Sequence, residues 1–392
     1  MIVGVPKEIY PGERRAALVP ASVQLLAKAG HEVRVQSGVG MEAGYPDGLY
    51  REKGAGIAPD RPSVFEEADI ILQVRGYGAD AGHGKTDLKL VRPGQVLAGF
   101  HEPLSNPHAA GELAKKGVFL FALELMPRIT RAQGMDALSS MATVSGYKAV
   151  LMAADRLPRM FPLMMTAAGT ISPAKVFIVG AGVAGLQAVA TARRLGAVVE
   201  AYDLRPAVKE QVESLGARFL EIPLEAEDAE GGGGYAKAMD EAFYKKQREF
   251  MGRVVRDSDV VVTTAAVPGK KAPVLVTADM VRAMRPGSVI VDLAAERGGN
   301  CELTRVDEEV MEAGVTILGP GNLPAATPYH ASQMYGKNIA SFLLHVLEQA
   351  GTGEGVGGFV PDLADEITRD TLVAKDGEVV HPAVKAVLEP EE

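Results

Sequence analysis

Apolar and polar residues follow two rhythms along the chain. Ile2–Val5 is a short apolar run that predicts a first strand. Residues 20–29 set Val23, Leu25, Leu26 and Ala29 at helical spacing, with Pro20 at the start and Gly30 as the stop. Residues 31–36 alternate Val33 and Val35 with polar neighbours, the period of a strand. The runs 68–74 and 118–125 predict buried strands, with a helix over 104–116. This alternation predicts a parallel sheet with helices on both faces.

Around 126–145 the pattern gives way to polar residues, and helical spacing resumes over 138–154. Residues 158–174, rich in Pro, Met and Gly, make a candidate connector. A second series starts at Lys175: a strand, a helix over 183–195, a strand over 198–202 and a helix over 207–215. It continues with a strand over 260–264, a helix over 277–284 and strands over 288–293 and 315–318. A long helix over 332–349 follows; it and the tail to 392 have no sheet of their own and must pack on one of the halves. The expected fold is α/β, with two doubly wound, Rossmann-like parallel sheets.

Composition narrows the function. At about 150 residues per domain, 392 residues suggest two or three domains. With 47% hydrophobic and 23% charged residues, the chain is neither a disordered tail, a collagen-like rod nor a disulfide knot. Its net charge of −9 and lack of a basic block fit poorly with nucleic acid or an anionic membrane surface. Cys301 is the one cysteine, and Lys7 and Glu8 interrupt any apolar leader, so the sequence points to the cytosol. The uncharged stretch 176–192 has 17 residues, short of the roughly 18 that suggest a membrane span. Four asparagines, one cysteine and 24 prolines hint at a thermophile.

The strongest local signal lies inside that stretch. Residues 175–185 read as a strand running into Gly180-Ala181-Gly182-Val183-Ala184-Gly185, a G-x-G-x-x-G that opens a helix. Gly180 allows the tight turn, Gly182 lets a pyrophosphate approach the backbone, and Gly185 lets helix and strand pack closely. Asp203 follows 18 residues after Gly185, where an acid can bond both ribose hydroxyls of a dinucleotide. Its charge would repel a 2′-phosphate and so favours NAD over NADP, with Arg205 as the counter-argument.

Other candidates each have a bland alternative. Arg14 and Arg15 can hold a carboxylate or phosphate, or pair with Glu8 and Glu13. Arg128, Arg131, Gln133, Asp136, Ser139 and Ser140 sit at a strand end, where open α/β sheets place ligands. Asp136 or Ser139 can equally cap the next helix. Asp292, beside glycines, is catalytic or a turn residue, and His101 at a strand end is more often structural. No spacing suggests a metal site or acyl transfer.

The chain resembles the alanine dehydrogenase and nicotinamide nucleotide transhydrogenase superfamily. Within it, the NAD(H)-binding domain I of proton-translocating transhydrogenase is most alike. The likeness covers nearly the whole chain and is carried by residues 128–140, 182–188, 209–217, 233–237, 268–273 and 292–300. The first and fourth of these segments are specific to transhydrogenase. The resemblance implies a homodimer with NAD in a cleft between two subdomains. These would be 1–137 plus 328–392, and 138–327. Arg128, Gln133, Asp136 and Ser139 would line the nicotinamide side as the catalytic set. The implied cofactor-binding set is Gly180, Gly182, Val183, Ala184, Gly185, Asp203, Leu204, Arg205, Gly234, Tyr235, Thr264 and Ala265. Tyr235 would ride on a mobile loop over 225–240 that closes on the nucleotide.

The resemblance further implies hydride transfer between NAD(H) here and NADP(H) on a partner subunit, coupled to proton movement by a membrane-spanning subunit. This sequence carries neither of those parts. It would be a separate cytoplasmic polypeptide, peripheral at the inner face of the membrane through its partners. Its tail over 380–384 resembles the end of domain I, so the chain reads as complete. The rival is an amino-acid dehydrogenase, in which Arg15 and His101 match the substrate arginine and histidine. There the substrate lysine reads Arg75 and the late aspartate reads Glu296, both departures. A third possibility is a non-enzymatic NAD-binding sensor.

Overall fold

The computed structural model describes residues 1–221, 241–266, 269–352 and 359–388. Gly234, Tyr235 and the expected lid over 225–240 lie outside the described residues. In chain order the strands begin with β1 (Ile2–Val5), β2 (Glu32–Gln36), β3 (Gly56–Ala58), β4 (Ile70–Arg75), β5 (Val96–Phe100) and β6 (Phe119–Ala122). A hairpin follows, β7 (Met164–Thr166) and β8 (Gly169–Ile171). Next come β9 (Lys175–Val179), β10 (Val198–Tyr202), β11 (Arg218–Phe219), β12 (Val260–Thr263), β13 (Val289–Asp292), β14 (Glu309–Glu312) and β15 (Val315–Leu318). The last are β16 (Gly351–Thr352), β17 (Phe359–Val360), β18 (Leu372–Lys375) and β19 (Glu378–Val379). The chain divides into two compact units, Met1–Met141 with Pro324–Glu392, and Ala142–Leu323.

The first unit holds a sheet in the order β19-β18-β6-β5-β4-β1-β2-β3. It is parallel from β3 to β6. The chain leaves β1 toward β2 and β3, then crosses back to β4, so the strand order reverses between β1 and β4. The tail packs on this unit, and it does so as strands. It extends this sheet: β18 pairs antiparallel with β6, and β19 with β18. Leu372, Val373 and Ala374 are buried there. A run this short cannot reveal its period, but it satisfies the edge of β6, which would otherwise present unpaired backbone groups. The helix Pro328–Gln349 starts one turn earlier than its apolar pattern, with Pro at its first position. It buries Ala331, Tyr335, Ile339, Phe342 and Val346 along one stripe.

The second unit holds β11-β10-β9-β12-β13-β15-β14, parallel except for β14 at the edge. Its central strands are apolar on both faces. Val176 and Ile178 pack with the helices Ala137–Arg156 and Val183–Arg194. Phe177 and Val179 pack on the other face with Met251, Val255, Met280 and Val281. This is double winding, and the strand order reverses between β9 and β12. The helix Glu241–Asp257 is an addition to the expected elements, and it carries Met251 and Val255 on its buried face. The expected connector 158–174 contains the hairpin β7–β8. No helix among the described residues is long and apolar enough to cross a membrane.

Candidate functional site

Open α/β sheets bind ligands where the strand order reverses, at the carboxyl ends of the strands. In the second unit that place is the end of β9. Val179 leads into Gly180 at φ +96°, a backbone conformation that favours glycine. Gly180 N–H donates to Tyr202 O at 2.8 Å, tying the turn to β10. A Cβ on Gly185 would stand 1.8 Å from Gly180 O, so only glycine permits this helix–strand approach. A Cβ on Gly182 would meet nothing nearer than Arg205 Nη2 at 4.0 Å. The middle glycine therefore borders open space, as a phosphate cradle requires. The helix Val183–Arg194 starts there without a side-chain cap, which leaves its first N–H groups for an anion. These features fit a dinucleotide pyrophosphate.

Asp203, just beyond β10, does not stand free. Its Oδ2 accepts from Ala181 N–H at 2.7 Å and Arg205 Nη2 at 2.9 Å. Its Oδ1 accepts from Arg205 N–H and Nε, both at 2.9 Å. Burial pushes the carboxyl up, but the Arg205 and Ala181 bonds outweigh it and hold Asp203 below the usual carboxylate range. Leu204, between them, is half-buried. After β12, Thr264 Oγ1 donates to Gly180 O at 3.0 Å, and Ala265 follows. The sequence-predicted residues Gly180–Gly185, Asp203–Arg205, Thr264 and Ala265 thus gather at one end of one sheet.

Two residues organise this end without standing out as ligand groups. Asn300 takes Ala265 N–H on Oδ1 at 2.9 Å and returns Nδ2 to Ala265 O and Pro273 O, both at 2.8 Å. Gly146, within the helix Ala137–Arg156, lets that helix touch the fingerprint helix: a Cβ there would lie 2.0 Å from Ala184 O. An isolated glycine in a helical pattern is the one signal that pointed to it. Asp292, the last residue of β13, ties down the turn that follows. Fully buried, it accepts from Thr263 Oγ1, Ala294 N–H, Cys301 N–H and Thr304 Oγ1.

In the first unit, Arg128, Gln133, Asp136 and Ser139 fall on one loop and the helix start that follows it. The loop forms a short 3₁₀ turn over Thr130–Met135. Asp136 accepts from Ser139 N–H at 2.8 Å and from Ser139 Oγ at 2.5 Å, capping the helix Ala137–Arg156. The bland reading of Asp136 and Ser139 therefore holds, and it leaves Gln133 and Arg128 exposed. Asn338 Nδ2 grips Gly134 O at 2.9 Å, and Arg131 reaches Asp365 at 3.0 Å. Burial pushes the Asp365 carboxyl up, yet bonds from His345 and Thr368 hold it at about 2.

The reversal point of the first sheet is filled by the protein's own charges. Glu8 accepts from Val74 N–H at 2.6 Å and Arg75 N–H at 3.1 Å. Burial, then the charge of Glu13, push its carboxyl up to about 7. Arg15 forks onto Glu13 at 2.8 and 2.6 Å, buried rather than solvated, and Arg14 pairs with Glu42. Arg75 lies 4.3 Å from the Tyr10 ring centroid, with Nε 3.7 Å from Glu13. His101 is buried with both ring nitrogens unpartnered, and burial lowers its pKa to about 4.

The family model described as "Alanine dehydrogenase/PNT, N-terminal domain" matches residues 4–145, and its C-terminal counterpart matches 149–382. The chain is 45% identical to an alpha-subunit polypeptide of the NAD(P) transhydrogenase of Rhodospirillum rubrum, over 98% of this chain and 99% of the relative. It is 29% identical to alanine dehydrogenase of Bacillus subtilis, over 98% and 94%. Its fold matches the crystal structure of transhydrogenase from Sinorhizobium meliloti with a TM-score of 0.83 and 40% identity, covering 98% of this chain and all of that one.

Proposed function

The chain belongs to the alanine dehydrogenase/PNT family, and on that premise we propose that it is the NAD(H)-binding component of a proton-translocating NAD(P) transhydrogenase. The observation that carries this is the glycine cradle after β9, held by Asp203 through Ala181 N–H, in a chain alike end to end to a transhydrogenase alpha-subunit polypeptide. Gly180, Gly182 and the N–H groups of Val183, Ala184 and Gly185 receive the pyrophosphate. Asp203 takes the ribose hydroxyls, and Thr264 with Ala265 forms the opposite wall. Bound NADH supplies a hydride that passes to NADP on a partner subunit. Gln133 and Arg128, exposed on the loop 128–136, orient the nicotinamide, and Asp136 with Ser139 fixes that loop to its helix.

The NADP-binding and membrane-spanning partners supply proton coupling and hold this component at the cytoplasmic face of the membrane. A second copy completes a homodimer. The hairpin β7–β8 supports that step: a lone two-stranded ribbon is marginal in water, and Met165 at its tip side is 81% exposed, with Leu163 and Ile171 also exposed.

An amino-acid dehydrogenase is disfavoured by Arg75. That position would need an ammonium able to exchange a proton. A guanidinium stays charged, and here it lies on Tyr10 and beside Glu13. The test is a hydride-transfer assay with the NADP-binding and membrane subunits added back, alongside an alanine–NAD assay of the chain alone. Transfer only in the reconstituted enzyme is expected. Robust alanine-dependent NADH formation, or no transfer after reconstitution, overturns the reading.

A further inference from the structure

The carboxylate that meets the ribose is already saturated. A carboxylate offers about four lone-pair sites, and four donors reach Asp203. Two of these, Ala181 N–H and Arg205 N–H, belong to the backbone and position the group. The other two, Nε and Nη2, come from the Arg205 guanidinium and leave if that side chain turns away. A ribose 2′,3′-diol also brings two donors. The guanidinium therefore occupies the places the diol must take. It also stands at the phosphate-binding glycine, its Nη2 being the nearest atom to a Cβ on Gly182. Both side chains are largely shielded, Arg205 at 16% and Asp203 at 7% exposure, so water screens the pair little.

We propose that Arg205 is a specificity-determining residue that competes with NAD(H) for Asp203 and serves as the partner of a 2′-phosphate when NADP(H) enters. This rests on the assignment of the nucleotide site to the end of β9. A diol can replace the guanidinium on Asp203, because it donates. A 2′-phosphate only accepts, so it needs the guanidinium kept beside it to offset the carboxylate. Arg205 therefore weakens binding of the preferred nucleotide and softens rejection of the other. A plain clamp on the loop after β10 would act differently, supporting both nucleotides alike.

The experiment is calorimetric titration of the full chain with NADH and with NADPH, for the unmodified protein, Arg205→Ala, Arg205→Lys and Asp203→Asn. Arg205→Ala is expected to bind NADH about tenfold more tightly, about 1.4 kcal/mol, and NADPH about tenfold more weakly. Arg205→Lys keeps the charge but cannot fork, so it should gain NADH affinity while holding NADPH affinity. This variant preserves the test if Arg205→Ala folds poorly. Parallel loss of both affinities in the two Arg205 variants, with NADH binding weakened in Asp203→Asn, overturns the competition and leaves the site intact. Unchanged NADH binding in Asp203→Asn overturns the site assignment and the proposal with it.

Discussion

Replacing Gly146 by alanine should destabilise the second unit and weaken nucleotide binding together. In a helix interior this exchange ordinarily stabilises by about 0.5–1 kcal/mol, because glycine loses more backbone freedom on folding. At Gly146 the added Cβ would lie 2.0 Å from Ala184 O and 2.9 Å from its carbonyl carbon, whereas ordinary contact begins at 3.4 Å. The first turn of the helix Val183–Arg194 must then recede by about 1.4 Å, the difference between 3.4 and 2.0 Å. Both obstructing atoms are backbone, so no side chain can turn aside. Overpacking of this kind costs about 1–3 kcal/mol, enough to cancel or reverse the helix gain. The recoil also carries the N–H groups of Val183 and Ala184 away from a bound pyrophosphate. Losing one charge-assisted hydrogen bond, at about 1.5–3 kcal/mol, corresponds to roughly a tenfold to hundredfold rise in the NADH dissociation constant. Gly111, in the helix Pro107–Ala114, is the control. A Cβ there meets only Leu388 Cδ2 at 3.9 Å, so Gly111→Ala should stabilise. Urea denaturation and NADH calorimetry on both variants read the two effects. Should Gly146→Ala gain stability as Gly111→Ala does and keep its NADH affinity, the close approach has no energetic consequence.

Three further outcomes are expected. Stability should fall as pH rises from 6.5 to 8. Glu8 is raised to about 7 by burial and Glu13, and Glu124 to about 8 by burial and Glu102, so the folded chain holds more protons than the unfolded one across that interval. His101, held at about 4, and His31 and His381, also lowered by burial, oppose this most strongly below their unfolded value of 6.5 and fade above it. Urea midpoints that climb between pH 6.5 and 8 contradict the assignment. Gln133→Asn should slow hydride transfer, since about 1 Å of misplacement can cost roughly 10²-fold, while NADH affinity changes little; a normal rate leaves the loop as only a helix cap. Met165→Asp should break the proposed homodimer into monomers in sedimentation at micromolar concentration, and a variant that still dimerises removes the hairpin from the interface.

Most of both sheets was legible because their central strands are apolar on both faces. The runs 175–179 and 260–263 are almost wholly Val, Ile and Phe, as a parallel sheet covered on both sides requires. The glycine turn after β9 was legible because its constraints are local: Gly180, at φ +96°, and Gly185, pressed against Gly180 O, admit only glycine within one turn, while Gly182 borders open space. What stayed hidden depends on residues far apart in sequence. β18 is a strand only because β6, some 250 residues earlier, leaves an edge open. Asn300 reads as a turn residue until Ala265 is seen against it. The saturation of Asp203 was half visible. Arg205 stood out as a charge two residues away, but nothing in the spacing fixed whether it faced the carboxylate or solvent.

The return of the chain through β18 bears on how the protein is made. The second unit is one continuous segment, Ala142–Leu323, and can complete its sheet as soon as that stretch has left the ribosome. The first unit cannot. β6 emerges early, but its neighbour β18 and the helix Pro328–Gln349, which supplies Tyr335 to Gln73 O at 2.7 Å, come only after the whole second unit has been synthesised. Until then the buried side chains Phe121 and Leu120 of β6 lack their cover from Leu372 and Ala374. The amino-terminal half must therefore wait, with an open sheet edge, through about 10–50 s at the usual 5–20 residues per second. That exposed interval, rather than the finished fold, is where a nascent chain of this architecture is most open to chaperone capture and to pairing with another copy.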